Sequence, residues 1–279
     1  MLALVAAVAY GVSDFVGGVA SRRVAALRIV IVSYPISFVV VLVLAPFVAG
    51  HLTFADALWG VVAGVAIGLA VWWFYQALAT GPMSVVSPLT AVLVAGLPVL
   101  VGFVLGERPP LLAYLGIAVA LVAVTLVSRE SPDHTAGRLR FTRQVALLTV
   151  GSGAGFALSF VALHQIGDGS GLWALAVSRA SATALVWFVA ATAGHFVLPR
   201  GGPLRLAVFV SILDVVANAT MLYAFDGGML SLVSVIGSLY PAATVLLAMV
   251  MLGERVSRVQ QAGMVLALSA VAMIAVAGS

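Results

Sequence analysis

Three ionisable side chains stand deep inside long apolar runs: Asp14, Arg179 and Asp214. Two carboxylates and one guanidinium leave one acid without a cationic partner. A surplus acid in a dry setting carries either a proton or a cationic group of a solute, and exchanges one for the other. The other assignment pins helices together through an Arg179–aspartate pair, because a buried guanidinium requires a carboxylate. Both stay open at the level of sequence. At 1.5 Å per residue, Asp14 lies about 18 Å, Arg179 about 12 Å and Asp214 about 15 Å into its run. All three fall near mid-depth of a bilayer.

Polar residues recur at helical spacing around these acids. Tyr10 and Asp14 share one side of their run, and Ser211, Asp214 and Asn218 share a face of another. Ser231, Ser234 and Ser238 recur at intervals of three and four, and Ser84, Ser87 and Thr90 open a fourth run. Each stripe reads either as the wall of a polar cavity or as hydroxyls bonded to helix carbonyls. Trp72, Trp73, Tyr75 and Gln76 crowd one run end, where aromatic faces hold an organic cation or form an interfacial belt. Tyr223 echoes Tyr75. The expected solute-binding set is Tyr10, Asp14, Trp72, Tyr75, Gln76, Ser84, Ser87, Arg179, Asp214, Asn218, Tyr223, Ser234 and Ser238. Asp14 and Asp214 are the expected proton carriers.

The elements that position these groups must live in lipid. The 279 residues are 63% hydrophobic and 8% charged, with a mean hydropathy of +1.23. No soluble fold hides that much apolar side chain. A hydrocarbon core of about 30 Å needs about 20 apolar residues per helix. On that ruler ten spans are expected: 2–20, 27–49, 57–79, 83–106, 110–128, 144–166, 171–197, 204–225, 229–252 and 259–278. Met1 is followed by apolar residues without a basic segment, so no cleavable signal is expected.

The chain repeats itself. Ser84 and Ser87 return as Ser231 and Ser234, and Gly106-Glu107-Arg108 returns as Gly253-Glu254-Arg255, each 147 residues on. Phe15 with Phe160, and Ser33 with Ser178, repeat at 145. The polar link 129–143 then divides a first five-helix repeat, 1–128, from a second, 144–279. An odd number of spans per repeat makes the halves point oppositely across the membrane. The expected fold is all-α and integral to the membrane, with ten transmembrane helices as two inverted five-helix repeats.

All thirteen basic residues are arginine. Eleven fall on the side of the loops after spans one, five, seven and nine, against Arg108 alone opposite. By the positive-inside rule that places link 129–143 in the cytoplasm and both termini outside. The arginines read as loops meeting anionic headgroups, not as a nucleic-acid site. With no cysteine there is neither disulfide nor thiolate metal site. No cofactor is expected.

The doubled block, the ten spans and the paired Gly-Glu-Arg ends resemble the drug/metabolite transporter superfamily, in its ten-helix EamA-like branch. The segment from Tyr240 to Arg255, YPAATVLLAMVMLGER, carries the likeness best, with the run ending at Arg179. Two places depart from it: Val94 stands where Pro241 has proline, and Tyr34 where Arg179 has arginine. The resemblance implies a secondary carrier, commonly an exporter of amino acids, metabolites or drugs. It also implies cytoplasmic termini, opposite to the arginine count. The combined expectation is proton-linked efflux of a small organic solute across a bacterial-type inner (plasma) membrane. An integral-membrane enzyme is the alternative, but no His-Glu-x-x-His and no Gly-x-Ser-x-Gly nucleophile serine is present. A scaffold subunit leaves the mid-depth acids without a role.

Glu107 and Glu254 end helices, where an acid is unfavourable. A local ion pair with the following arginine is the expected compensation. His164 and His195 sit near run ends and read as solvated. Pro82, Pro88, Pro98 and Pro241 bend helices or free carbonyls.

Overall fold

In lipid every backbone polar group must find its partner within the chain, and helices achieve this segment by segment. The computed structural model describes residues 1–21, 24–80, 83–127, 142–194, 196–252 and 257–277, and these are helical apart from short connections. In chain order the helices are α1 (Leu2–Ser21), α2 (Ala26–Leu44), α3 (Phe54–Thr80), α4 (Met83–Val104) and α5 (Leu111–Val127). Then follow α6 (Arg143–His164), α7 (Trp173–Thr192), α8 (Gly202–Phe225), α9 (Leu230–Gly237), α10 (Tyr240–Leu252) and α11 (Arg258–Ala277). A 3-10 turn, Ala45–Phe47, closes α2. Among the described residues five helices are long and apolar enough to cross a bilayer: α2, α3, α6, α7 and α8. Large apolar side chains such as Phe47, Val104, Leu111, Val250 and Leu268 are exposed on the outside.

Packing interleaves the halves. α3 lies along α6 and α7, and α8 lies along α1 and α2. α5 packs on α11, α2 on α7, α4 on α6 and α9, and α1 on α9 and α10. Exchanging the members of each half maps this set of pairs onto itself. Small residues let the helices approach, as expected where no hydrophobic force draws them together. Gly64 is the tightest case, since a Cβ there would meet the Ser178 carbonyl oxygen at 2.2 Å. That contact holds α7, and with it Arg179, against α3.

Pro35 lies inside α2 and has no N–H to give to the Ile31 carbonyl. Trp187 of α7 takes over, its indole Nε1–H donating to Ile31 O at 3.0 Å. Trp187→Phe should cost about 1 kcal/mol in detergent unfolding. In a Pro35→Ala background, where α2 supplies its own donor, the same change should cost little. Equal losses in both backgrounds would count against the substitute bond.

The ninth expected span, 229–252, differs from a single helix. It breaks at Ser238–Leu239 into α9 and α10. Pro241 is the reason: proline has no N–H for the Gly237 carbonyl. The strand of helix before it tightens, with Leu239 N–H donating to Ile236 O at 3.2 Å. α4 has Val94 at the matching place and runs unbroken from Met83 to Val104.

Candidate functional site

A cavity of about 970 Å³, counted to include the part open to solvent, lies between the halves. α1 lines it with Tyr10, Ser13, Asp14 and Gly17, and α2 with Ile29, Val30, Ser33 and Tyr34. Phe74, Phe156, Phe160 and Tyr240 add aromatic walls, and Asp214 enters from α8. The wall residues lie on the middle and late turns of α1 and α3, the early turns of α2 and the middle of α8, with Phe156 and Phe160 from the second half of α6. The cavity therefore occupies the middle of the bundle and reaches towards the α1–α2 connection.

The three charges of mid-depth are arranged unequally. Arg179 is 1% exposed, and its Nε stands 3.4 Å from Asp214 Oδ2. Its guanidinium carbon lies 5.8 Å from the centroid of the Tyr34 ring, a cation–π distance. Asp214 Oδ1 accepts from Asn218 Nδ2 at 3.0 Å. Asn218 Oδ1 in turn accepts from the Tyr10 hydroxyl at 2.9 Å. One polar chain thus runs Arg179–Asp214–Asn218–Tyr10 and ties α7 and α8 to α1. Asp14 stands apart from it. That carboxylate is exposed on the cavity wall, and no hydrogen bond or salt bridge engages it among the described residues.

The remaining expected site residues are scattered. Trp72 and Gln76 are half-buried and do not line this cavity. Trp73 packs on α6, where a Cβ on Gly151 would lie 2.8 Å from its ring. Ser231, Ser234 and Ser238 are fully buried away from the wall. Ser238 Oγ bonds back to Val235 O at 2.8 Å. Tyr223 packs against the main apolar core, its hydroxyl unpartnered among the described residues. The side chains of Tyr75, Ser84 and Ser87, together with His195, Glu254 and the link 128–141, lie outside the described residues.

Sequence reasoning missed Phe156, Phe160 and Tyr240. The signal available was the echo of Phe15 in Phe160, and the aromatic pair four residues apart on α6.

The opposite end of the bundle is closed by bonds between the halves. Asp56 Oδ1 accepts the Gly167 N–H at 2.8 Å, and the His51 N–H donates to Gly169 O at 2.9 Å. Thr53 and Asp56 also form a capping box at the start of α3, with a bond of 2.6 Å between their side chains. The Glu107 carboxylate accepts the backbone N–H of Leu230 and, at 3.0 Å, that of Ser231. This corrects the expected local ion pair: Arg108 donates instead to the carbonyl of Glu107 at 2.8 Å. An acid at the start of α9 meets unpaired amides and the positive end of a helix dipole, which a neighbouring arginine does not offer. His164 is half-buried, its ring edge on Phe225 and its Nδ1 without a partner among the described residues. Burial pushes the Asp226 carboxyl above its usual range, and the charge of Asp168 adds to this.

An all-helical bundle with an apolar exterior, spanning helices and an acid-lined cavity between its halves defines a multi-pass membrane protein. The sequence profile of the EamA-like transporter family matches residues 1–129 and again 143–276. The chain belongs to that family, a membrane transporter group of the drug/metabolite transporter superfamily. A solved structure, titled only "Crystal structure of protein", superposes with a TM-score of 0.80 at 17% identity. The match covers 99% of this chain and 95% of that one, and shows the fold. No curated protein matches.

Proposed function

We propose that the chain is a proton-linked secondary carrier that exports a small organic solute through alternating access between two inverted five-helix repeats. The repeats are residues 1–128 and 144–279, joined by the link 129–143. The single observation that carries this reading is Asp14, a carboxylate exposed in the cavity and free of the polar chain that occupies Asp214. An acid so placed binds a proton or a cationic group by turns, which is what coupling requires. Aromatic walls from Tyr10, Phe74, Phe156, Phe160 and Tyr240 suit a solute with an apolar or flat body. Asp214, Asn218 and Arg179 shape the site from behind, and the expected location is a bacterial-type inner membrane.

The test is collapse of a pH gradient. Proteoliposomes holding an imposed gradient and a pH dye should lose it when the right member of a panel of amino acids and organic cations is added. Empty liposomes should keep it. A panel that dissipates nothing, although thermal shift shows some members bind, would defeat the coupling.

A further inference from the structure

At the closed end, four backbone or carboxylate bonds join one half of the chain to the other, but they are not equivalent. Asp56 is held by Thr53 of its own helix start as well as by Gly167. Glu107 spends its carboxylate on the other half, on the first two amides of α9. It reaches them by folding into the notch over Gly102, where an added Cβ would lie 2.3 Å from Oε2. α9 is also set apart, since it is eight residues long and ends at the Ser238–Leu239 break. A short helix with a joint at one end and an acid holding the other has the build of a gate leaf.

We infer that Glu107 is the releasable latch of this gate: its bonds to Leu230 and Ser231 hold α9 shut at this end of the bundle, and α9 swings about Ser238–Leu239 when they break. The inference rests on the carrier reading above, since only a carrier needs this end to open. Two hydrogen bonds to a charged acceptor are strong enough to keep the closed form dominant, and weak enough to be given up once per cycle. Glu107 acts through α9 and is a positioning residue.

The absence of cysteine makes the test clean. A reporter Val233→Cys lies one turn inside the latch, where Val233 is 8% exposed. A second reporter, Val186→Cys, lies in the separate apolar cluster of α2, α7 and α8. Labelling by an impermeant maleimide in proteoliposomes should be slow at both sites. Glu107→Ala should raise it about tenfold or more at Val233→Cys, and leave Val186→Cys unchanged. Gly102→Ala keeps the charge but displaces the carboxylate, and should do the same, so the test survives if Glu107→Ala does not fold. No rise in either variant, or an equal rise at both reporters, overturns the latch. Because labelling needs no solute, a silent latch and a failed pH-gradient assay are separate results.

Discussion

Asp214→Ala is expected to lower the unfolding free energy by about 3–5 kcal/mol, the range for a buried ion pair that loses one partner. The cause lies in what is left behind. Arg179 is 1% exposed, and Asp214 is its salt-bridge partner among the described residues. Removing the carboxylate strands a guanidinium in a medium that cannot solvate it. Asn218 loses the carboxylate as an acceptor and keeps only the residue 214 carbonyl, to which its Nδ2 donates at 2.8 Å. Arg179→Leu combined with Asp214→Ala should recover most of the loss, because the stranded charge is gone. Thermal unfolding in detergent of both single variants and the double variant measures this as a cycle. If the double variant is no more stable than Asp214→Ala, the pair does not hold α7 to α8.

Asp14→Asn is expected to do the reverse. Asp14 is exposed on the cavity wall outside the polar chain, so the amide orphans no buried group. Its melting temperature should stay close to that of the unaltered protein. Flux driven by a pH gradient should fall to the level of empty liposomes, since an amide neither binds nor releases a proton in this range. Asp14→Glu should keep coupling, with altered affinity from the extra methylene. The two acids are thereby separable: one should lose stability first, the other transport first. An Asp14→Asn variant with normal gradient-driven flux would end the coupling proposal.

Much of this arrangement is legible in the sequence, and the boundary is physical. A charge within an apolar run announces itself, so Asp14, Arg179 and Asp214 stand out without coordinates. Helical spacing places Asn218 one turn from Asp214, and the structure bonds them. Partner choice across the bundle is another matter. Glu107 and Leu230 are 123 residues apart in sequence, and the adjacent Arg108 offers a nearer partner that the backbone does not use. Periodicity also cannot tell an apolar face towards lipid from one towards a cavity. Phe156 and Phe160 therefore read as core until α1 and α8 are set opposite them. Spacing alone leaves the serine stripe of α9 between a cavity wall and hydroxyls bonded to their own helix, and the structure buries that face, with Ser238 Oγ donating to Val235 O.

Tyr34 and Arg179 occupy the same place in their respective halves, and they meet, ring beneath guanidinium. Had each copy of an ancestral half-length chain carried arginine there, two cations would confront one another in a dry interior. A symmetric pair of identical halves has no way out, because any residue suited to one seat is imposed on the other. Joining the copies in one gene removes that constraint: one seat takes the cation and the other the ring that accepts it. The mismatch between the two halves thus lets one seat hold the cation and the other the ring that receives it.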